Sequence, residues 1–93
     1  MMILPRRFWS RTSVDIPART KRIADRVADG RLPRIEPETS RAGFGSGCAC
    51  DGCGEPILPS VVEEEHALAG GRTLRFHATC SQLWKRLIAA SSG

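Results

Sequence analysis

The chain has 93 residues, with 14 lysines and arginines against 10 aspartates and glutamates, and a formal net charge of +4. This length allows at most one small domain with tails. No run of about 18 apolar residues is present, which argues against a membrane-spanning helix. Residues 1–4 are too short for the apolar core of a signal peptide, so we expect a cytoplasmic protein. In a reducing compartment, paired cysteines more often bind a metal than form disulfides.

The charge is unevenly distributed. Residues 1–47 contain ten basic and five acidic residues, whereas residues 48–93 contain four basic and five acidic ones. The basic character therefore belongs to the N-terminal half. Any contact with nucleic acid is expected there and not in the C-terminal half.

Residues 1–16 are predicted to form a flexible basic arm. Two readings of its aromatic residues stay open. In the first, the arm stacks on bases and contacts phosphates. In the second, which we favour, Trp9 folds back on the domain. The residues concerned are Arg6, Arg7, Phe8, Trp9 and Arg11.

Residues 17–30 are predicted to form a basic amphipathic helix. Pro17 suits the first turn, and Gly30 suits the position after the last turn. Ile23 and Val27 form a thin apolar stripe, so the helix is marginal alone and should dock on the rest of the chain. The docked helix is expected to turn its arginines outward, as a surface for an acidic partner or phosphate. These arginines are Arg19, Arg22 and Arg26.

Residues 31–47 are rich in glycine and proline and show no apolar periodicity, so we predict a linker or extended loop. The segment from Gly43 to Gly47 is followed by Cys48 and not by the Gly-Lys-Ser/Thr of a phosphate-binding loop. We expect Cys48 to be a bystander; a redox or ligand role is the alternative.

Two short motifs carry the chemistry of the second half. Cys50 and Cys53 are separated by two residues, and so are His77 and Cys80. Three thiols and one imidazole make a complete tetrahedral set for Zn²⁺. Gly54 directly follows the first pair and suits a tight turn whose N–H groups point at the sulfur atoms.

The main alternative for the first pair is a redox dithiol. That role requires a strand before the motif and a helix that begins at it. Here Gly45-Ser46-Gly47 precedes the motif, and Gly54 and Pro56 follow, so a metal site is favoured.

The segment between the two pairs is predicted to be a β-hairpin. Residues 61–68 and 72–76 form its strands, and Gly70-Gly71 forms the turn. Residues 63–65, which are three glutamates, are expected to be a solvated strand edge, and His66 is expected on the surface.

Residues 78–90 are predicted to form the closing helix. Cys80 lies in its first turn, where thiolate charge meets the positive end of the helix dipole. The apolar face consists of Leu83, Trp84, Leu87 and Ile88, and we expect Trp84 to cover the metal site.

The two ligand pairs, with Phe76 directly before His77, resemble the treble-clef class of zinc fingers, and most closely the first zinc module of a LIM domain. The resemblance covers residues 48–88. It implies a zinc knuckle, a β-hairpin and a helix whose first turn carries the second ligand pair. After Cys80 the sequence departs from LIM domains, because residues 81–84 contain no further cysteine pair. The partners of LIM proteins are therefore not implied.

A second resemblance is to short bacterial proteins that place a segment like residues 28–33 before such a finger; it implies no activity. The predicted fold is thus small α+β, with a treble-clef finger at 48–93 behind the basic helix and the linker. Four ligands leave no position for a catalytic water, so we expect no enzyme and no small-molecule substrate. We favour a protein-interaction or regulatory module held by one structural Zn²⁺; the alternative is a nucleic-acid-binding accessory protein that uses the basic half.

Overall fold

The computed structural model describes residues 16–92, with side chains to residue 90. Within this range, two helices and a three-stranded antiparallel sheet make a small α+β fold. The elements in chain order are α1 (Ile16–Ala28), β1 (Thr39–Phe44), β2 (Val62–Ala67), β3 (Thr73–His77) and α2 (Ala78–Ser92). The predicted arm of residues 1–16 lies outside the described residues except for its last residue. No helix within residues 16–92 combines the length and the apolar character that crossing a bilayer requires.

Helix α1 packs against α2 through one apolar edge. Ile23 and Val27 are buried, as the narrow stripe in the sequence predicts. The helix ends where Gly30 takes a φ of +86°, a conformation in which glycine has no steric penalty. The N–H of Leu32 then donates to the carbonyl of Arg26, which closes the last turn.

Strand β1 was not predicted, and it lies inside the segment interpreted as a linker of residues 31–47. It pairs antiparallel with β2, from Thr39 opposite Ala67 to Phe44 opposite Val62. All six of its residues are exposed. Since neither face of the strand is buried, the sequence carries no alternation of apolar and polar residues that would mark it.

The predicted hairpin is present. Strands β2 and β3 pair antiparallel, with Glu63 opposite His77 and Ala67 opposite Thr73. The sheet order is β1-β2-β3, so β1 and β3 are the two edges. Leu74 is buried on the inner face, which α2 covers.

The core is built around two aromatic rings. Trp84 stacks on Phe76 with 5.1 Å between ring centroids, and both side chains are fully buried. The indole N–H donates to the carbonyl of Pro33 at 3.0 Å, which ties the segment after α1 to α2. The Trp84 ring also lies 5.7 Å from that of His66, and its position over the metal site stays a prediction.

The prediction that His66 lies on the surface is wrong, because its side chain is 0% exposed. Its Nδ1 lies 2.7 Å from the Ser40 hydroxyl on β1, and its Nε2 lies 2.7 Å from the Ser81 hydroxyl on α2. Burial lowers the pKa of His66 below its usual value, and the nearby Lys85 lowers it further. The ring is therefore neutral at pH 7 and links β2 to the elements on either side of it.

Glu63 also differs from the expected solvated edge, because only 5% of it is exposed. Its carboxylate accepts hydrogen bonds from the N–H and the hydroxyl of Ser46 at 2.8 and 2.7 Å, and it pairs with Arg75 at 2.9 Å. Burial raises the pKa of Glu63, but the hydrogen bonds from Ser46 and Arg75 together outweigh burial and hold that pKa below its usual value. The carboxylate is therefore ionised and fixes the end of β1 to the sheet.

Candidate metal centre

The first ligand pair lies in a closed loop that we call the ligand loop (residues 48–57). Its ends are joined where the N–H of Ile57 donates to the carbonyl of Cys48 at 2.8 Å. Inside it, the N–H of Gly54 donates to the carbonyl of Cys50 at 2.9 Å, and Gly54 has a φ of +86°. This conformation favours glycine, so the residue after Cys53 lets the backbone turn beneath both sulfur atoms.

The second pair is delivered by the junction of β3 and α2. His77 is the last residue of β3, and Cys80 lies in the first turn of α2. The ligand atoms of Cys50, Cys53, His77 and Cys80 all lie within 4.8 Å of one another. The structure thus brings all four sequence-predicted ligands together.

The spacing of these atoms fits a tetrahedral zinc ion. Bonds of about 2.3 Å to sulfur and about 2.0 Å to nitrogen place neighbouring ligand atoms about 3.5–3.8 Å apart. The Nδ1 of His77 lies 3.5 Å from the sulfur of Cys53 and 3.8 Å from that of Cys80. These two distances match the edges of a tetrahedral site, and all four ligand atoms lie within 4.8 Å of one another.

The orientation of His77 is fixed from outside the cluster. Its Nε2 lies 3.1 Å from the carbonyl of Pro56, which can only accept a hydrogen bond. The proton therefore resides on Nε2, and the Nδ1 lone pair faces the sulfur atoms. Metal-binding histidines are typically fixed in this way through their other ring nitrogen.

Donors surround the sulfur atoms. The backbone N–H groups of Gly52 and His77 point at the sulfur of Cys50 at 3.3 and 3.4 Å. The guanidinium of Arg19 donates to the sulfur of Cys80 at 3.5 Å. Such charge-assisted contacts stabilise thiolates, which are the form that binds metal.

The pKa values of Cys53 and Cys80 shift in opposite directions. Hydrogen bonds with Cys50 and then Cys80 lower the pKa of Cys53 to about 2. The contacts with Cys50 and then Cys53 raise the pKa of Cys80, because its proton is shared among neighbouring sulfur atoms. A divalent ion replaces these protons and removes the repulsion between the thiolates.

The arginines of α1 make contacts that the sequence did not predict, and Arg22 still exposes 51% of its side chain. A partner contact through these arginines stays a prediction. Arg22 donates to the carbonyl of Cys53 at 3.2 Å, and Arg26 donates to the carbonyl of Asp51 at 2.9 Å. With Arg19 on the sulfur of Cys80, all three point at the metal cluster or its loop. The carbonyls of a tight loop attract these cations, and nothing in the sequence of α1 alone indicates that direction.

Asp51 is a site residue that the sequence analysis missed. Its N–H donates to the carbonyl of Arg75 at 2.7 Å, and its carboxylate accepts the N–H of Arg75 at 2.8 Å. These bonds attach the ligand loop to the outer edge of β3. A polar residue between the two cysteines was the available signal. Cys48 is exposed and lies outside the four-residue cluster.

No family model, curated protein or solved structure matches this chain. The assignment of the site therefore depends on its geometry and on the chemistry of its ligands.

Proposed function

We propose that this chain is a zinc-binding, non-catalytic module of the treble-clef type, held together by one structural Zn²⁺. The observation that carries the proposal is the convergence of three thiols and one imidazole within 4.8 Å. The order of ligand loop, β2–β3 hairpin and α2, with Cys80 in the first turn of α2, supports the treble-clef assignment.

Ligand chemistry favours zinc. Thiolates select soft or borderline metals, and a tetrahedral set of three sulfurs and one nitrogen is typical of structural zinc. Three of the four ligands are buried, and all four are supplied by the protein, so no position is left for a reacting water. These features support a structural role over catalysis.

A role in protein contact is favoured over nucleic-acid binding. Large apolar side chains are exposed where β1 meets the segment before β2, and they suit a protein surface better than phosphate. They are Phe44, Leu58, Val61 and Val62. Of the arginines of α1 that the nucleic-acid reading needs, Arg22 and Arg26 donate to carbonyls of the ligand loop and Arg19 donates to the sulfur of Cys80.

Metal analysis of protein purified without chelator tests the proposal. We expect one zinc per chain, and Co²⁺ substitution should give the absorption bands of a tetrahedral thiolate site. A stoichiometry near zero, with all four cysteines reactive toward a thiol reagent, would refute it. Binding to a non-specific DNA duplex should be weak, and a steep loss of affinity with salt would instead favour the nucleic-acid reading.

A further inference from the structure

The two edges of the sheet differ in how their backbone groups are used. On β3, the outward N–H and C=O of Arg75 both bond to Asp51, so the ligand loop covers that edge. On β1, the hydrogen bond from the Gly45 N–H to the Val61 carbonyl fixes which residues face β2. By the alternation of an antiparallel ladder, the N–H and C=O groups of Ser40, Ala42 and Phe44 point away from β2.

An edge of this kind is open to another strand. All six residues of β1 are exposed, and Phe44 is 81% exposed. Natural proteins usually block such an edge with proline, a bulge or a covering segment. Within residues 16–92, no segment pairs with the outer side of β1.

We infer that β1 pairs with β1 of a second copy of this chain, which makes a six-stranded antiparallel sheet across a two-fold axis. The register is centred on Ala42, so that Ala42 faces Ala42 of the second copy and Ser40 faces Phe44. This register uses every outward backbone group of the strand. A two-fold contact of this kind is the commonest form of homodimer.

Charge disfavours the neighbouring register centred on Arg41. Shifting the centre to Arg41 would place two arginines directly opposite each other, which is unfavourable. Centred on Ala42, the strand places Arg41 opposite Gly43 of the second copy. Glycine weakens a strand interior and often marks a place where another chain approaches closely. A side chain at position 43 would meet no atom within 4 Å, so the space above it is open.

That space is lined by two arginines and two glutamates, so Arg41 of the second copy would join an existing network of ion pairs. A shallow depression of about 280 Å³ lies over β1, and its acidic members are Glu63 and Glu65. Glu65 already pairs with Arg41 and Arg75 of its own chain at 3.2 Å, and Glu63 pairs with Arg75. Arg41 of the second copy would extend this row of alternating charges across the two-fold axis, twice per dimer.

The first test is the mass of the zinc-loaded full chain in solution. We expect light scattering and sedimentation to give twice 10.2 kDa, with dissociation on dilution. Ala42→Pro removes one outward N–H and leaves the ladder to β2 intact, so the dimer should weaken about tenfold or more. Zinc stoichiometry and the far-UV spectrum should not change. A monomer at concentrations up to about 1 mM would overturn the inference.

Cross-linking tests the register independently of any folding defect. In a Cys48→Ser background, Ala42→Cys should form a disulfide-linked dimer under mild oxidation, because paired residues of two strands lie within disulfide reach. Thr39→Cys is the matched control on the same strand. In the proposed register it lies far from its counterpart and should not cross-link. Equal cross-linking at both positions, or a dimer that Ala42→Pro leaves unchanged, would refute the pairing.

Discussion

The two histidines of this chain share one sheet and satisfy their ring nitrogens in different ways. His77 turns Nδ1 toward the sulfur atoms of Cys53 and Cys80 and Nε2 toward the carbonyl of Pro56. His66 places both nitrogens 2.7 Å from serine hydroxyls. A serine hydroxyl can donate or accept, so the site of His66 is complete without an ion. The site of His77 also contains thiols. When these thiols ionise, a bound cation is needed to balance their negative charges.

This contrast divides the molecule into two regions. The metal region comprises the ligand loop, His77, Cys80 and the arginines of α1 that contact the loop. The hydrogen-bonded region joins β1, β2 and α2 through His66. Loss of metal should therefore act directly on the ligand loop and α1 and through them unfold the rest of the chain. Loss of His66 should instead loosen β1 and α2 with the metal still bound.

The largest effect is expected from Cys53→Ser. Binding of structural zinc contributes about 10–16 kcal/mol in small zinc fingers, so a chain of this size that loses its metal should be largely unfolded. Metal analysis and far-UV circular dichroism should show both losses together. Cys48→Ser is the matched control and should change neither, because Cys48 is exposed and outside the cluster. A tryptophan near-UV signal that survives complete zinc removal would contradict this prediction.

A smaller but substantial effect is expected from Ile23→Ala. Ile23 is 0% exposed, and its Cγ1 lies 3.2 Å from where a side chain at Gly52 would begin, so it packs directly on the ligand loop. Truncation of a buried isoleucine costs about 2–5 kcal/mol. Denaturant unfolding of the zinc-loaded protein measures this cost, and hydrogen exchange should show α1 opening.

Ile16→Ala provides the control on the same helix, because 41% of Ile16 is exposed. Its effect on the free energy of unfolding should stay below about 1 kcal/mol. If both substitutions had the same small effect, α1 would not be part of the folded unit.

More of the metal region than of the hydrogen-bonded region could be predicted from the sequence. One cysteine–cysteine pair and one histidine–cysteine pair at the same spacing predict a metal site, and Gly70-Gly71 between two strand-like runs indicates the hairpin. His66 has no such local signal. Its partners, Ser40 and Ser81, are 26 and 15 residues away, and only the folded sheet brings them to it.

Strand β1 and the contacts of the α1 arginines with the metal cluster and its loop were not predicted, for related reasons. Every residue of β1 is exposed, so its formation depends on pairing with β2 and not on burial of an apolar face. The direction of the arginines depends on carbonyls of the ligand loop that are about 30 residues away in sequence. The local sequence pattern therefore predicted helix α1, but it could not predict the direction of its arginine side chains.

His66→Phe should have an intermediate effect that leaves the metal in place. The substitution keeps an aromatic ring beside Phe76 and Trp84, but it leaves the buried hydroxyl of Ser81 without its partner. An unsatisfied buried hydroxyl costs about 1–3 kcal/mol. Zinc stoichiometry should remain unchanged while the free energy of unfolding falls. Adding Ser81→Ala should restore part of the loss, and a failure to do so would show that the hydroxyl is not responsible.

The same residue makes stability depend on pH. The pKa of His66 in the fold lies below its ordinary value of 6.5, so the unfolded chain binds a proton more readily than the folded one. The contribution of His66 to the free energy of unfolding is complete above about pH 6.5. It is lost as the pH falls through the lower pKa that His66 has in the folded protein. At matched zinc occupancy, His66→Phe should flatten the decline of stability below that pH. An identical decline in both proteins would place its origin elsewhere.

The smallest effect is expected from Arg19→Gln, and it probes how far α1 belongs to the metal region. A Zn²⁺ ion held by three thiolates carries one net negative charge, and Arg19 places a cation 3.5 Å from the sulfur of Cys80. Removing an outer partner of this kind typically lowers metal affinity about tenfold. The pH at which half of the zinc is released should rise, because protons compete better for a less stabilised thiolate. Arg19→Lys keeps the charge and should recover part of the affinity, and Arg86→Gln, on an exposed position of α2, is the control. Competition with a coloured chelator gives all three affinities. If Arg19→Gln and Arg86→Gln bound zinc equally well, the arginine would contribute to packing of α1 and not to the charge balance of the metal site.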